Sequence, residues 1–275
     1  MSLWETNFAR CQIVIHNTYK DIHPSIKVVL EKLIAPDDSY HKSHERRIAR
    51  TLQVLTDQRP KGKLLELGTG AIVPLALKRL VPDLEVHVTD FHLDLPSVDD
   101  IHLELCGDSM TVKGYRVNLE ETALPVADET FDVVLCCEVI EHMDVDPMFM
   151  LSEVNRVLKP NGTLIVTTPN AASTWAITKI LRGIEPYFYM QYRPYKDPWR
   201  HNYEYSIHTL VAVLKAAGFD GDAWTEDSFE EPNYTDIHKL QASGYTLNHL
   251  GDNIFTVARK IGSVQDRYPS AIYCN

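Results

Sequence analysis

The sequence predicts an α/β protein built on a doubly wound, mostly parallel sheet. From residue 63 onward, apolar runs of strand length alternate with stretches of helical spacing. The first run, Lys63 to Leu67, breaks into Gly68-Thr69-Gly70. A second run, Leu84 to Val88, ends near Asp90, about 20 residues past the glycines, the spacing at which an acid reaches a ribose in nucleoside-binding sheets. Alternation of this kind implies parallel strands with helices on both faces. Glycines at the break let backbone approach a ligand without an intervening Cβ.

The elements follow in order. Residues 1–60 read as an N-terminal helical addition beside the ligand cleft. Pro24 to Leu33 and Ile48 to Leu55 carry apolar residues at helical spacing, and Pro36-Asp37-Asp38-Ser39 separates them. Pro60-Lys61-Gly62 breaks the chain before strand one, Lys63 to Leu67. Pro74 sits in the first turn of the next helix, and Pro82 closes it. Strand two is Glu85 to Thr89, a short helix covers Ser97 to Leu105, and strand three is Gly114 to Val117. Strand four is Phe131 to Cys137, and Asp146-Pro147 caps a helix that runs to Leu158. Strand five is Thr163 to Thr168. Ser206 caps a helix over Ile207 to Ala217, stopped by Gly218. A last strand pair is expected near Ala223 to Thr225 and Ile254 to Arg259. The main domain is therefore set at residues 61–262, with a surface tail at 263–275. Residues 169–205, rich in Tyr and Trp, are expected to form a lid over an organic acceptor.

Composition narrows the function. Hydrophobic residues make up 44% and charged residues 24%, ordinary for a globular chain. The apolar runs are too short to span a bilayer, and Met1 to Arg10 lacks a basic segment followed by an apolar one. No membrane association and a cytoplasmic location are expected. Five cysteines without metal-like spacing read as reduced thiols. The net charge of −11 makes nucleic acid an unlikely partner, since phosphate binding draws on Lys and Arg. Arg46, Arg47 and Arg50 are too few for a basic patch.

The glycine pattern decides the ligand class. A dinucleotide site wants G-x-G-x-x-G, and Val73 stands where the third glycine belongs. This disfavours an NAD(P)-dependent oxidoreductase. The chain reads E-x-G-x-G instead, with Glu66 two residues before Gly68. Downstream, Val117 to His142 runs V-N-L-E-E-T-A-L-P-V-A-D-E-T-F-D-V-V-L-C-C-E-V-I-E-H. Together these resemble the Rossmann-like class I S-adenosylmethionine (SAM) dependent methyltransferases, particularly those acting on quinone precursors, small molecules and sugars. The resemblance spans Leu64 to Gly218 and implies a seven-stranded sheet.

What the resemblance implies for residues is specific. Glu66, Gly68 and Gly70 would line the methionine end of SAM, and Asp90 would hold the ribose hydroxyls. Asn118, in place of the usual aspartate, would accept from the adenine amine, and Leu119 would cover the ring. Backbone at Cys137 and Glu138 would meet the SAM amino group. Ile72 replaces a further glycine of the motif. His142, just past strand four, and His201 are candidate bases, because an imidazole titrates near neutrality. The reaction expected is O-methylation of a small-molecule acceptor, a sugar, glycan or secondary metabolite, with S-adenosylhomocysteine as product. Two alternatives stay open. One is a non-catalytic SAM-binding regulatory protein. The other is a metal-assisted RNA 2′-O-methyltransferase, whose ligands Glu138, Glu141, His142 and His201 resemble; no metal is expected on the first reading.

Overall fold

The computed structural model describes residues 21–91, 97–186, 199–228 and 234–274. Expectations for residues 1–20 and for Tyr187, Phe188, Tyr189, Tyr192 and Tyr195 lie outside the described residues. Two helices come first, α1 (Pro24–Leu33) and α2 (Ser39–Asp57). The Asp38 carboxylate caps α2 by accepting the His41 amide at 3.0 Å. Strand β1 (Lys63–Leu67) leads into α3 (Ile72–Leu80) and β2 (Glu85–Phe91). Then come β3 (Ser97–Leu105), β4 (Asp108–Val117), β5 (Phe131–Cys137) and a single 3₁₀ turn over Ile140–His142. Helix α4 (Pro147–Val157) precedes β6 (Leu158–Pro169), and α5 (Thr174–Leu181) follows it. Helix α6 (Ile207–Ala216), β7 (Phe219–Glu226), α7 (Thr235–Ala242) and β8 (Asn253–Lys260) complete the order.

The eight strands form one sheet in the order β3-β4-β2-β1-β5-β6-β8-β7. Its centre, β4 to β6, is parallel, while β3 and β8 run antiparallel to their neighbours. Each face is sealed by its own apolar cluster. On one side Met148, Leu151 and Val154 of α4 join Leu210 and Val213 of α6. On the other, Leu30 of α1 and Leu52 of α2 pack with Leu75 of α3. Helices on both faces are the doubly wound arrangement expected from the alternating pattern. The chain departs from β1 in one direction to β2 and β4, and in the other to β5 and β6. Ligand crevices of open sheets form at such a divide, outside the carboxyl ends of the strands.

One element departs from the sequence reading. Residues Ser97–Leu105 form a strand, not a helix, and β4 begins at Asp108, well before Gly114. The sheet therefore has eight strands where the family resemblance implied seven. The cause is local. Ile101, Leu103 and Leu105 alternate with charged residues at period two, which suits a half-buried strand. Cys106 (φ 51°) and Gly107 (φ 76°) supply two left-handed residues between paired Leu105 and Asp108, the requirement of a two-residue hairpin. The other apolar segments follow expectation, and Ser206 and Asp146 cap α6 and α4 through accepted amide bonds of 3.2 and 3.1 Å. The C-terminal tail is pinned rather than loose: Arg267 Nη1 and the Tyr273 hydroxyl both donate to Asp146 Oδ1, at 2.9 and 2.5 Å.

Gly221 of β7 lies tight against the backbone of β8. A Cβ there would sit 2.1 Å from the Val257 carbonyl oxygen and 2.7 Å from Ala258 Cα. Both are backbone atoms, so only separation of the strands relieves the clash. Gly221→Ala is expected to lower stability by about 1–3 kcal/mol in urea denaturation; an unchanged midpoint would show that the edge pair is slack.

Candidate active site

The carboxyl ends of β1, β5 and β6 open into a cavity of 1190 Å³. Its floor is the turn between β1 and α3. Gly68 is left-handed (φ 65°), and a Cβ on it would come within 2.8 Å of Val139 Cγ2, so side chains are excluded there. The turn is anchored by Thr89, whose hydroxyl accepts the Gly68 amide at 2.9 Å and whose carbonyl accepts the Thr69 amide at 3.0 Å. Gly70 has nothing within 4 Å of the position a Cβ would take. The first glycine shapes the turn; the second leaves it bare toward the cavity. Helix α3 then begins at Ala71 without a side-chain cap, which leaves its first amides available for an anion.

Glu66 sits under this turn, 5% exposed. Burial pushes its carboxyl up to about 8, opposed only by the Thr69 hydroxyl donating to it at 3.0 Å. Cys137, beside it at the end of β5, is pushed by burial to about 12 and stays a thiol. Glu138 takes a left-handed conformation (φ 55°) that costs a non-glycine residue about 1–3 kcal/mol. Three partners hold it: the Thr167 hydroxyl (2.8 Å), the Asn253 amide nitrogen (3.2 Å) and Arg47 Nη1 (3.3 Å). Its own amide is spent on the Thr167 carbonyl at 2.9 Å.

Arg47 is the functional candidate that sequence reasoning passed over. It is 9% exposed, lines the cavity, and its Nε has no hydrogen-bond partner among the described residues. Tyr40, His44, Arg47, Ile48 and Thr51 all line the cavity from one face of α2. Their i, i+4, i+7, i+8, i+11 spacing was the available signal. Arg50, by contrast, turns away to Glu226 at 2.7 Å.

A second cluster closes the far side. Glu141 is fully buried; Oε2 accepts the Thr168 hydroxyl at 3.0 Å, while Oε1 has no hydrogen-bond partner among the described residues. Burial first, and then the Glu138 carboxylate, hold its carboxyl well above the usual range. His142 Nδ1 lies 3.0 Å from the Arg200 carbonyl, and His201 Nδ1 lies 3.0 Å from Glu204 Oε1. The Arg200 carbonyl only accepts, so His142 Nδ1 carries a proton and the acceptor lone pair of the neutral ring is on Nε2; His201 Nδ1 is paired with the Glu204 carboxylate. One ligand atom each from Glu141, His142 and His201 lies within 4.8 Å of the others. The two rings meet edge to face at 4.9 Å. Such a group can take a proton from a ligand, and a carboxylate with two imidazoles is also a donor set for a transition-metal ion.

The cavity thus brings together Glu66, Gly68, Gly70, Cys137, Glu138, His142 and His201. Asp90, Asn118 and Leu119 are not in its wall. Asp90 stands exposed near the end of β2, 3.7 Å from Arg116 Nε. Asn118 follows β4, where its side-chain oxygen already accepts the Glu120 amide at 3.1 Å. Leu119 packs on the core. These three occupy the neighbouring strand tips, on the β2–β4 side of the glycine turn.

Solved structures share this fold. A SAM-dependent methyltransferase from Archaeoglobus fulgidus superposes with a TM-score of 0.54 at 16% identity, covering 79% of this chain and 94% of that one. A possible histamine N-methyltransferase from Thermotoga maritima gives 0.52 at 18% identity over 85% and 99%. The fold is therefore that of the SAM-dependent methyltransferases. Among curated proteins, the ubiquinone biosynthesis O-methyltransferase of Parvibaculum lavamentivorans is 46% identical over 56 residues, 20% of this chain and 21% of that one. Its counterpart from Rickettsia conorii is 24% identical over 143 residues, 50% and 45%. The chain spans less than half the length of these two relatives. A methyltransferase-domain family model matches residues 40–223, and the chain belongs to that family.

The buried Glu66 carboxyl makes stability depend on pH in a defined sense. Its folded value of about 8 lies above the ordinary 4.5. Between those values the folded state holds the extra proton, so the ligand-free protein loses stability as pH rises from about 5 to about 8. Glu66→Gln should remove part of that slope. Thermal midpoints at the two pH values test this: an equal loss in both proteins would mean that Glu66 is solvated.

Proposed function

We propose that this protein is a SAM-dependent methyltransferase that O-methylates a hydroxylated small molecule. The observation that carries the reading is the meeting, in one cavity, of the bare glycine turn over Glu66 with the two imidazoles of His142 and His201. SAM, when bound, supplies a methyl group activated by its sulfonium charge.

The chain's own residues divide the remaining work. Glu66, neutral in the empty cavity, becomes ionised beside a cationic amine and compensates its charge. Arg47 and the uncapped start of α3 receive a carboxylate. Asp90 holds the ribose diol, and Asn118 and Leu119 hold the adenine, on the adjoining strand tips. His142 Nε2, with Nδ1 locked onto the Arg200 carbonyl, accepts the acceptor's hydroxyl proton, and His201 is positioned to share that role. Trp175 and Trp199 line the cavity beside them and help exclude water from the reacting atoms.

Among acceptors, a phenol suits the site better than the sugar or glycan expected from sequence. A phenolic hydroxyl titrates near 10, within reach of an imidazole base, and the curated relatives are named as O-methyltransferases of ubiquinone biosynthesis. The orphaned Glu141 Oε1 favours a second reading, in which Glu141, His142 and His201 hold a divalent ion that polarises the acceptor oxygen. The charge of −11 gives this reading no preference for RNA.

Calorimetry with S-adenosylhomocysteine reads the cofactor site. Arg47→Ala and Asp90→Ala should each weaken binding about tenfold, the loss of one charged hydrogen bond. No binding to the wild-type chain would sink the proposal, and unchanged affinity in a variant would remove that residue's role.

Turnover with phenolic acceptors separates catalysis from mere cofactor binding. His142→Ala should bind S-adenosylhomocysteine normally and transfer methyl groups roughly 10²–10⁴ times more slowly. Full activity in that variant would return His142 to a structural role. Activity lost to a chelator and restored by Mn²⁺ or Zn²⁺ would select the metal reading.

A further inference from the structure

Exposed apolar side chains concentrate on one ordered element at the mouth of the cavity. Of the α5 residues, only Thr174 and Ala176 are buried. Ile177, Ile180 and Leu181 fall at i, i+3 and i+4, a single stripe, and Ile184 follows just past the helix end. The last three are 55%, 52% and 49% exposed. The helix end is well formed. Gly183 (φ 72°) donates its amide to the Ile180 carbonyl at 2.9 Å, and Ile184 donates to the Lys179 carbonyl at 3.0 Å. This Schellman ending turns the chain out of the helix and leaves Ile184 exposed beside its last turn. Trp175 and Trp199, 42% and 76% exposed, stand at the rim and also line the cavity.

We propose that this face docks on a phospholipid surface, with the cavity mouth turned toward the bilayer and the acceptor drawn from it. The proposal rests on reading the cavity as the methyl-transfer site. Three physical points favour lipid over another occupant. Indole rings on an apolar rim match the polarity gradient between headgroup and acyl chain. Two cations flank the stripe: the Lys179 ammonium lies 3.7 Å above the Trp175 ring, and Arg182 stands 3.7 Å from Asp236. The acids of this face are Glu185 and Asp236, and Asp236 is shared between Arg182 and Lys239, a third cation. In a chain of net charge −11, a face where Lys179, Arg182 and Lys239 outnumber Glu185 and Asp236 beside exposed aliphatics suits anionic headgroups. Continuity with the cavity is the third point. Trp175, Arg182 and Pro186 line the cavity as well as bordering the stripe, so a protein seated here would block acceptor entry, whereas fluid lipid would supply it.

Vesicle co-sedimentation of the full chain tests this, with phosphatidylcholine vesicles and with phosphatidylcholine containing phosphatidylglycerol. The wild-type chain should pellet with both, and more with the anionic set. Ile180→Ser combined with Leu181→Ser should reduce partitioning about tenfold, the loss of two aliphatic anchors, with S-adenosylhomocysteine affinity unchanged. Ile184→Ser, outside the helix proper, should reduce it by a smaller factor and guards against a folding defect in the double variant. Wild-type chain left in the supernatant, or variants that pellet like wild type, would overturn the proposal. A dimer in sedimentation velocity that the double variant abolishes, without vesicle binding, would assign the stripe to a second copy instead. Pelleting is read without cofactor, so failure of the cofactor titration would strike the methyltransferase reading and leave the docking result standing.

Discussion

Carboxylates taken out of water at the carboxyl ends of β1 and β5 are the constraint around which the rest of this molecule is arranged. Glu66, Glu138 and Glu141 sit within a few residues of those strand ends, and none is fully solvated. Each is accommodated differently. Glu66 is held protonated by burial, with Thr69 as its donor. Glu138 stays surrounded by donors, one of them Arg47 from a helix on the opposite wall. Glu141 Oε2 accepts from Thr168, and Oε1 has no hydrogen-bond partner among the described residues. A buried carboxylate that ionises without such partners needs charge or a proton from a ligand. On the proposed function, a cationic ligand over Glu66 and an acceptor proton or a metal ion near Glu141 would meet that need from two sides of one cavity.

The Arg47–Glu138 contact ties the helical addition to this chemistry. Without it, α2 would be a second layer on the sheet, packed through Leu52 and Leu55. With it, one face of α2 becomes the roof of the cavity, and the left-handed Glu138 is stabilised by a partner from another element. The histidine cluster is organised the same way. The 3₁₀ turn presents His142, and the segment Arg200–Glu204 supplies both the carbonyl that sets the His142 tautomer and the second imidazole. That segment is fastened in return, since the Asn202 and Tyr203 amides donate to the Glu141 carbonyl at 2.7 and 3.2 Å.

Much of the fold was legible because burial writes itself as period. Lys63–Leu67 and Phe131–Cys137 are mostly apolar, with Val133 to Cys137 unbroken, as strands covered on both faces tend to be. The helix caps at Asp146 and Ser206 are set by side chains next to the elements they begin, so local sequence suffices. Ser97–Leu105 misled because it is an edge strand with one face in water. Its alternation is diluted by Asp99 and Asp100, and its true marker is the two-residue turn at Cys106-Gly107, where glycine pairs with an uncommon partner.

The site divides along the same line. By itself, the sequence determined the glycine turn, the acid beneath it, the acid on the next strand and the Glu-x-x-Glu-His run, because each is a short-range pattern carried by one stretch of chain. Only the tertiary structure decided that Arg47 enters the cavity while Arg50 leaves it, that His201 meets His142 from 59 positions away, and that an oxygen of Glu141 has no donor among the described residues. Those are outcomes of packing between elements distant in sequence. Whether a polar atom is solvated, paired or orphaned depends on what the rest of the chain brings against it, and no local pattern records that.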